Sequence, residues 1–164
     1  MKHKFNRAAT NGKGFTIIEV VLVLAIAGLI FLMVFIALPA LQRSQRDTQR
    51  KDDLSRVQTA ITRYTSNSRG ELPDLSASSF TTNYLKAGGD QFVDPSGRDY
   101  DFNEDVSGEE AAGYDAEAET AVILWTQGGT CAGDGSRVEA NSAATRKIAL
   151  RVGLEGGGVA CVNN

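Results

Sequence analysis

Histidine is nearly absent from this 164-residue chain: the only one is His3. A histidine-based metal centre or a histidine-dependent catalytic triad therefore has no material. Only two cysteines occur, Cys131 and Cys161, both in the C-terminal third. From spacing alone they read either as a bridge or as two inert thiols. No GxxxxGK[ST] segment is present among the many glycines, which removes the phosphate-binding loop. No nucleophile stands beside a partnering base, so the chain reads as a non-enzyme with no cofactor and no metal. Acids are missing from residues 1–14, which hold Lys2, Lys4, Arg7 and Lys13. The remainder carries about −7 by formal count, an acidic body that argues against a specific nucleic-acid partner.

The most informative absence is of charge. Phe15 to Leu38 reads FTIIEVVLVLAIAGLIFLMVFIAL, and after Glu19 no charged residue appears until Arg43. As a helix these residues span roughly 36 Å at ~1.5 Å per residue, against a hydrocarbon core of about 30 Å. The segment can cross a membrane. A cleavable secretory signal fits less well, because its apolar region is normally only about 7–15 residues and the exit Ala37-Leu38-Pro39-Ala40-Leu41 is a poor small-residue cleavage site. A buried core helix is at odds with this length. A plain membrane anchor remains a serious rival.

Glu19 separates these readings. A carboxylate in an apolar span costs on the order of 2.5–3.5 kcal/mol at mid-membrane, and a simple anchor has no use for one. If the chain were cut between Gly14 and Phe15, the new α-amine on Phe15 would lie one turn from Glu19. The two charges could neutralise each other within one chain or between neighbours. The helix dipole also favours an acid at this end.

The run KGFTIIEVVLVLAIAGLI resembles the class III signal of type IV prepilins, the pilin and pseudopilin family. It has the short basic leader, the glycine, and Phe-Thr-x-x-Glu opening a long apolar helix. The resemblance implies that Gly14 precedes the cut, that Phe15 becomes the N-methylated first residue, and that Glu19 sets subunit register in a filament core. It implies a prepilin peptidase as processing partner, other pilin subunits as assembly partners, and the membrane as the precursor's location before an extracellular pilus. Pro39 stands where the family bends its helix, a few residues further along than is usual. The resemblance also implies a bridge between Cys131 and Cys161, which requires the C-terminal part to be outside. The charge count does not fix the orientation, since Arg43, Arg46, Arg50 and Lys51 match the four bases of the leader.

Beyond the span neither glycine nor further proline interrupts the chain until Gly70. Leu54, Val57, Ile61 and Tyr64 form one apolar stripe at helical spacing. One helix is predicted from about Phe15 to Ser66, stopped by Ser-Asn-Ser-Arg-Gly. Arg43, Arg46 and Arg50 share a face; a solvated face or inter-subunit pairing is preferred over phosphate or headgroup binding, because Asp47, Asp52 and Asp53 dilute the patch. Asp47 and Lys51 form an i,i+4 pair in the favourable order.

Asp94-Pro95-Ser96-Gly97 is a turn leading to a strand through Tyr100 and Phe102; DPSGRDYDF is similar to a turn before a strand in many pilins. Asp94, Asp99, Asp101, Glu104 and Asp105 form an acidic cluster for which calcium is the tempting but not the preferred reading. The EF-hand reading of Asp101-x-Asn103-x-Asp105 fails, with Val106 where glycine is required and Ala112 where glutamate is. Strands are predicted at 120–126, 147–152 and 158–162, with a flexible glycine loop at Gly128, Gly129, Gly133 and Gly135.

The expected fold is α+β: a long N-terminal helix packed on a small antiparallel sheet. Its segments are 1–14 (leader), 15–40 (apolar helix), 41–67 (amphipathic helix), 68–118 (connecting region) and 119–164 (sheet with disulfide loop). The expected function is a type IV pilus subunit. The alternatives are a pseudopilin of a secretion or competence system and a non-polymerising, membrane-anchored extracellular binding domain.

Overall fold

The computed structural model describes residues 14–106, 112–133, 137–140 and 146–164. Lys2, Lys4, Arg7 and Lys13 lie outside the described residues, as does Gly135. The chain divides into two compact units, Met1–Pro39 and Ala40–Asn164.

Helix α1 covers Ile17–Asn67, with Pro39 inside it. In the first unit its large apolar side chains are all exposed, among them Ile17 at 85% and Leu38 at 49%. The described protein buries none of the apolar window that is long enough to cross a membrane. Apolar surface on this scale is stable only against lipid or other apolar surface.

In the second unit α1 becomes amphipathic. Leu54, Val57 and Ile61 are fully buried, and Tyr64 packs at the edge of the same cluster, as the stripe required. The helix ends where the Gly70 amide donates to the Thr65 carbonyl (2.8 Å) and Gly70 adopts φ +92°, a left-handed conformation that favours glycine. Short helical turns at Ser78–Phe80 and Thr81–Leu85 follow and bring Phe80 and Leu85 into the core.

The sheet has four strands, β1 (Tyr100–Glu104), β2 (Ala121–Gln127), β5 (Ile148–Gly153) and β6 (Val159–Asn163), in the order β1-β2-β5-β6. The α+β class is as expected, but the sheet is mixed. β2, β5 and β6 pair antiparallel, whereas β1 runs parallel to β2, with Phe102 opposite Ile123. A parallel pair needs a long crossover, and residues 105–120 supply it. β5 is buried along its whole length, as befits a strand covered on both faces. Ile123, Trp125, Ile148, Leu150 and Val152 join the α1 stripe and Phe92 and Phe102 in one core. Trp125 is thus a core residue.

The segment expected to be a flexible glycine loop contains a strand. β3 (Gly129–Cys131) pairs antiparallel with β4 (Val138–Ala140). Cys131 and Cys161 are bonded, with Cα atoms 5.8 Å apart, which ties β3 to the edge strand β6.

Candidate functional site

The described part of the first unit opens with three non-helical residues, Gly14, Phe15 and Thr16. Phe15 is 85% exposed, and a side chain built on Gly14 would touch nothing within 4 Å. The Gly14–Phe15 peptide bond therefore lies in exposed, non-helical chain shortly before a helix. Thr16 caps that helix. Its carbonyl accepts from the Glu19 and Val20 amides at 3.1 and 3.3 Å. The Glu19 amide donates to Thr16 Oγ1 at 3.3 Å, while the Thr16 amide and hydroxyl donate to Glu19 Oε2 at 3.5 and 3.4 Å. This reciprocal arrangement is a capping box, which satisfies amides that a helix start leaves without partners. Thr16-x-x-Glu19 carries the signal in the sequence itself. Within one chain the Glu19 carboxylate therefore has a local role before any second copy is considered.

In the second unit the charged residues of α1 divide. Arg50, expected on a solvated face, is 1% exposed and is the hub of an ion network. It donates Nε to Asp94 Oδ1 (2.6 Å) and Nη2 to Asp94 Oδ2 (3.0 Å), a bidentate pair. Nη2 also reaches Glu155 Oε1 (2.9 Å), and Nη1 reaches Asp47 Oδ1 (3.1 Å). Arg46 grips the other side of Glu155 at 2.8 and 2.6 Å. The Tyr114 ring lies against the Arg50 guanidinium, 4.6 Å from ring centre to Cζ, and against Arg98 at 5.2 Å. Of the three arginines expected to share one exposed face, only Arg43 is exposed.

Asp47 does not pair with Lys51 as the helical spacing suggested. Its two oxygens accept from the Glu155 and Gly156 amides at 2.8 and 2.9 Å, holding the β5–β6 turn against the helix. The electrostatics follow from these partners. The Arg46 hydrogen bond, aided by Arg50, pulls Glu155 down to about 2. Asp94 is pushed up by burial, but its bonds from Arg50 and Ser96 outweigh that and leave it below the usual carboxylate range. Asp53 goes the other way: burial raises it, only partly offset by the Tyr100 hydroxyl, which donates to it at 3.1 Å.

Three of the five acidic residues considered for calcium have cationic partners. Asp94 grips Arg50, Asp105 pairs with buried Arg151, and Asp99 meets Lys86 at 3.4 Å. Among the described residues no group of three His, Cys, Asp or Glu side chains is arranged to hold a metal ion. The turn at Asp94–Gly97 forms as expected, closed by the Gly97 amide donating to the Asp94 carbonyl at 2.7 Å.

The crossover passes over the end of β5 at close quarters. A Cβ on Gly153 would lie 2.3 Å from the Gly113 carbonyl carbon and from the Tyr114 nitrogen. Arg98 Nη1 holds the same segment by donating to the Asp115 and Ala118 carbonyls at 2.5 and 3.1 Å.

Comparison of the chain with protein-family models, with curated proteins and with solved structures returned no match.

Proposed function

We propose that the chain is a structural subunit of the type IV pilin kind: a membrane-inserted precursor cut after Gly14 and packed through α1 into an extracellular filament. The observation that carries this reading is Gly14-Phe15-Thr16-x-x-Glu19, with its peptide bond in open chain, opening a helix whose apolar surface the described protein leaves uncovered. Lipid covers that surface before assembly and neighbouring helices cover it afterwards. Glu19 is neutralised by the amine released on Phe15 of an adjacent subunit. A prepilin peptidase supplies the cut, and the body with its disulfide lies outside the cell. A pseudopilin would use the same parts. A plain anchored binding domain has the apolar helix in common but gives no role to Glu19 beyond the cap.

The Glu19 side chain distinguishes these. Glu19→Ala removes cap and charge together, whereas Glu19→Gln keeps an acceptor for the capping box and removes the charge alone. Both variants are expected to insert normally into membrane, and both to incorporate poorly into filaments. Filament yield equal to wild type in Glu19→Gln would remove the register role.

A further inference from the structure

The second unit has a cleft of about 450 Å³ between α1 and the β5–β6 turn, lined by Arg43, Ser44, Thr48, Lys51, Leu154 and Gly157 among others. We propose that it holds the phosphate of an anionic phospholipid headgroup in the leaflet from which the body emerges. The inference needs only that the apolar part of α1 lies in a bilayer. It does not depend on cleavage or polymerisation.

The charge distribution carries the argument. Arg46 and Arg50 are consumed by Glu155 and Asp94, whereas Arg43 and Lys51 are exposed and have no ion-pair partner among the described residues. Both stand on the rim of the same cleft, two turns apart on one helix face. The one carboxylate in the lining, Asp47, has both oxygens engaged by the Glu155 and Gly156 amides and by Arg50. The Ser44 hydroxyl and the turn residues Leu154 and Gly157 complete the lining, while the Thr48 hydroxyl donates to the Ser44 carbonyl at 2.9 Å.

Position selects the anion. Arg43 is the first charged residue after Glu19, so it stands at the end of the uncharged run. A headgroup layer extends roughly 5–7 Å beyond the hydrocarbon on each side. Arg43 falls within that depth. Lys51, about 12 Å further along the axis, lies above the phosphate level and acts on it by attraction over a distance near the Debye length of about 10 Å. A juxtamembrane cation raises affinity for an anionic surface about fivefold, so the two together are expected to contribute up to roughly 25-fold.

The test uses the full chain in nanodiscs of phosphatidylglycerol and phosphatidylcholine in equal amounts, with retained lipid identified by native mass spectrometry. Wild type is expected to retain phosphatidylglycerol preferentially. Arg43→Gln with Lys51→Gln should lose that preference by tenfold or more, and should unfold at the wild-type temperature because neither side chain belongs to the ion network. Arg63→Gln with Lys147→Gln removes the same charge outside the cleft and should change nothing. Equal retention by the cleft variant, or equal loss in the control variant, overturns the site. Displacement of the lipid by millimolar inorganic phosphate would make it a free-anion site and end the lipid assignment. So would a cleft variant that keeps its lipid but no longer associates with a second copy. A chain retaining Met1 gives the same lipid readout, so failure of the filament reading and failure of this one are distinguishable.

Discussion

Replacing Arg50 by methionine isolates the ion network. The substitution keeps much of the side-chain volume and removes the charge, leaving Asp94 (side chain 0% exposed) and Glu155 (7%) without their shared cation. Removing one partner of a buried pair typically costs about 3–5 kcal/mol. Two residues soften the loss: Arg98 lies 3.7 Å from Asp94 Oδ2, and Arg46 still holds Glu155. A value near the lower end, about 3 kcal/mol, is therefore expected at pH 7, or a fall of roughly 10 °C in Tm for a body of this size. Fluorescence of Trp125, which sits in the core, reports the transition in the full chain held in detergent micelles.

The pH dependence gives a second check. In the wild type both carboxylates are held below their ordinary values, so their contribution is complete above about pH 4.5 and is lost as pH falls toward about 2, where Glu155 titrates. Without Arg50, burial governs Asp94 and raises it above its unfolded value, so the variant is most stable relative to wild type in acid and loses ground as pH rises. The gap between the two proteins should widen from pH 3 to pH 7. A loss below about 1 kcal/mol at pH 7, the range of a surface pair, or a gap independent of pH, would refute the assignment of Arg50 as the buried hub.

Serine at both Cys131 and Cys161 should cost about 3–4 kcal/mol, given the 30-residue separation, by chemical denaturation of the full chain. Gly153→Ala should lose about 2 kcal/mol or more, because its Cβ would meet crossover backbone, not a yielding side chain. Gly113→Ala, with open space around it, is the control expected within about 0.5 kcal/mol of wild type.

Much of this architecture is written plainly in the sequence. The apolar run, the 3.6-residue stripe of Leu54, Val57, Ile61 and Tyr64, and the end of α1 near Gly70 all follow from local pattern. The strands through Tyr100, Trp125, Leu150 and Cys161 do as well. Pairing direction does not: the alternation of Tyr100 and Phe102 is the same whether β1 runs parallel or antiparallel to β2. The ion network is hidden for a similar reason. Helical spacing pairs Asp47 with Lys51, but Asp47 bonds to Arg50 and to the distant Glu155 and Gly156 amides, and Arg50 draws Asp94 and Glu155 from 44 and 105 residues away. An acidic cluster likewise reads as a cation site until the arginines that neutralise it are placed. The cysteine pairing was open by spacing and becomes definite only through the packing of β3 beside β6. At the N-terminus Thr16-x-x-Glu19 carries a capping-box signature that a reading of Glu19 as a bare charge passes over, whereas the role of Glu19 toward a second copy belongs to an assembly and not to one chain.

The most direct measurement is the intact mass and N-terminal sequence of the protein recovered from the cell surface. A polypeptide beginning at Phe15 with a methyl on its amine is the predicted result. A surface protein that still carries Met1 to Gly14, or that begins at any other residue, would contradict the filament account and leave a domain tethered by its apolar helix.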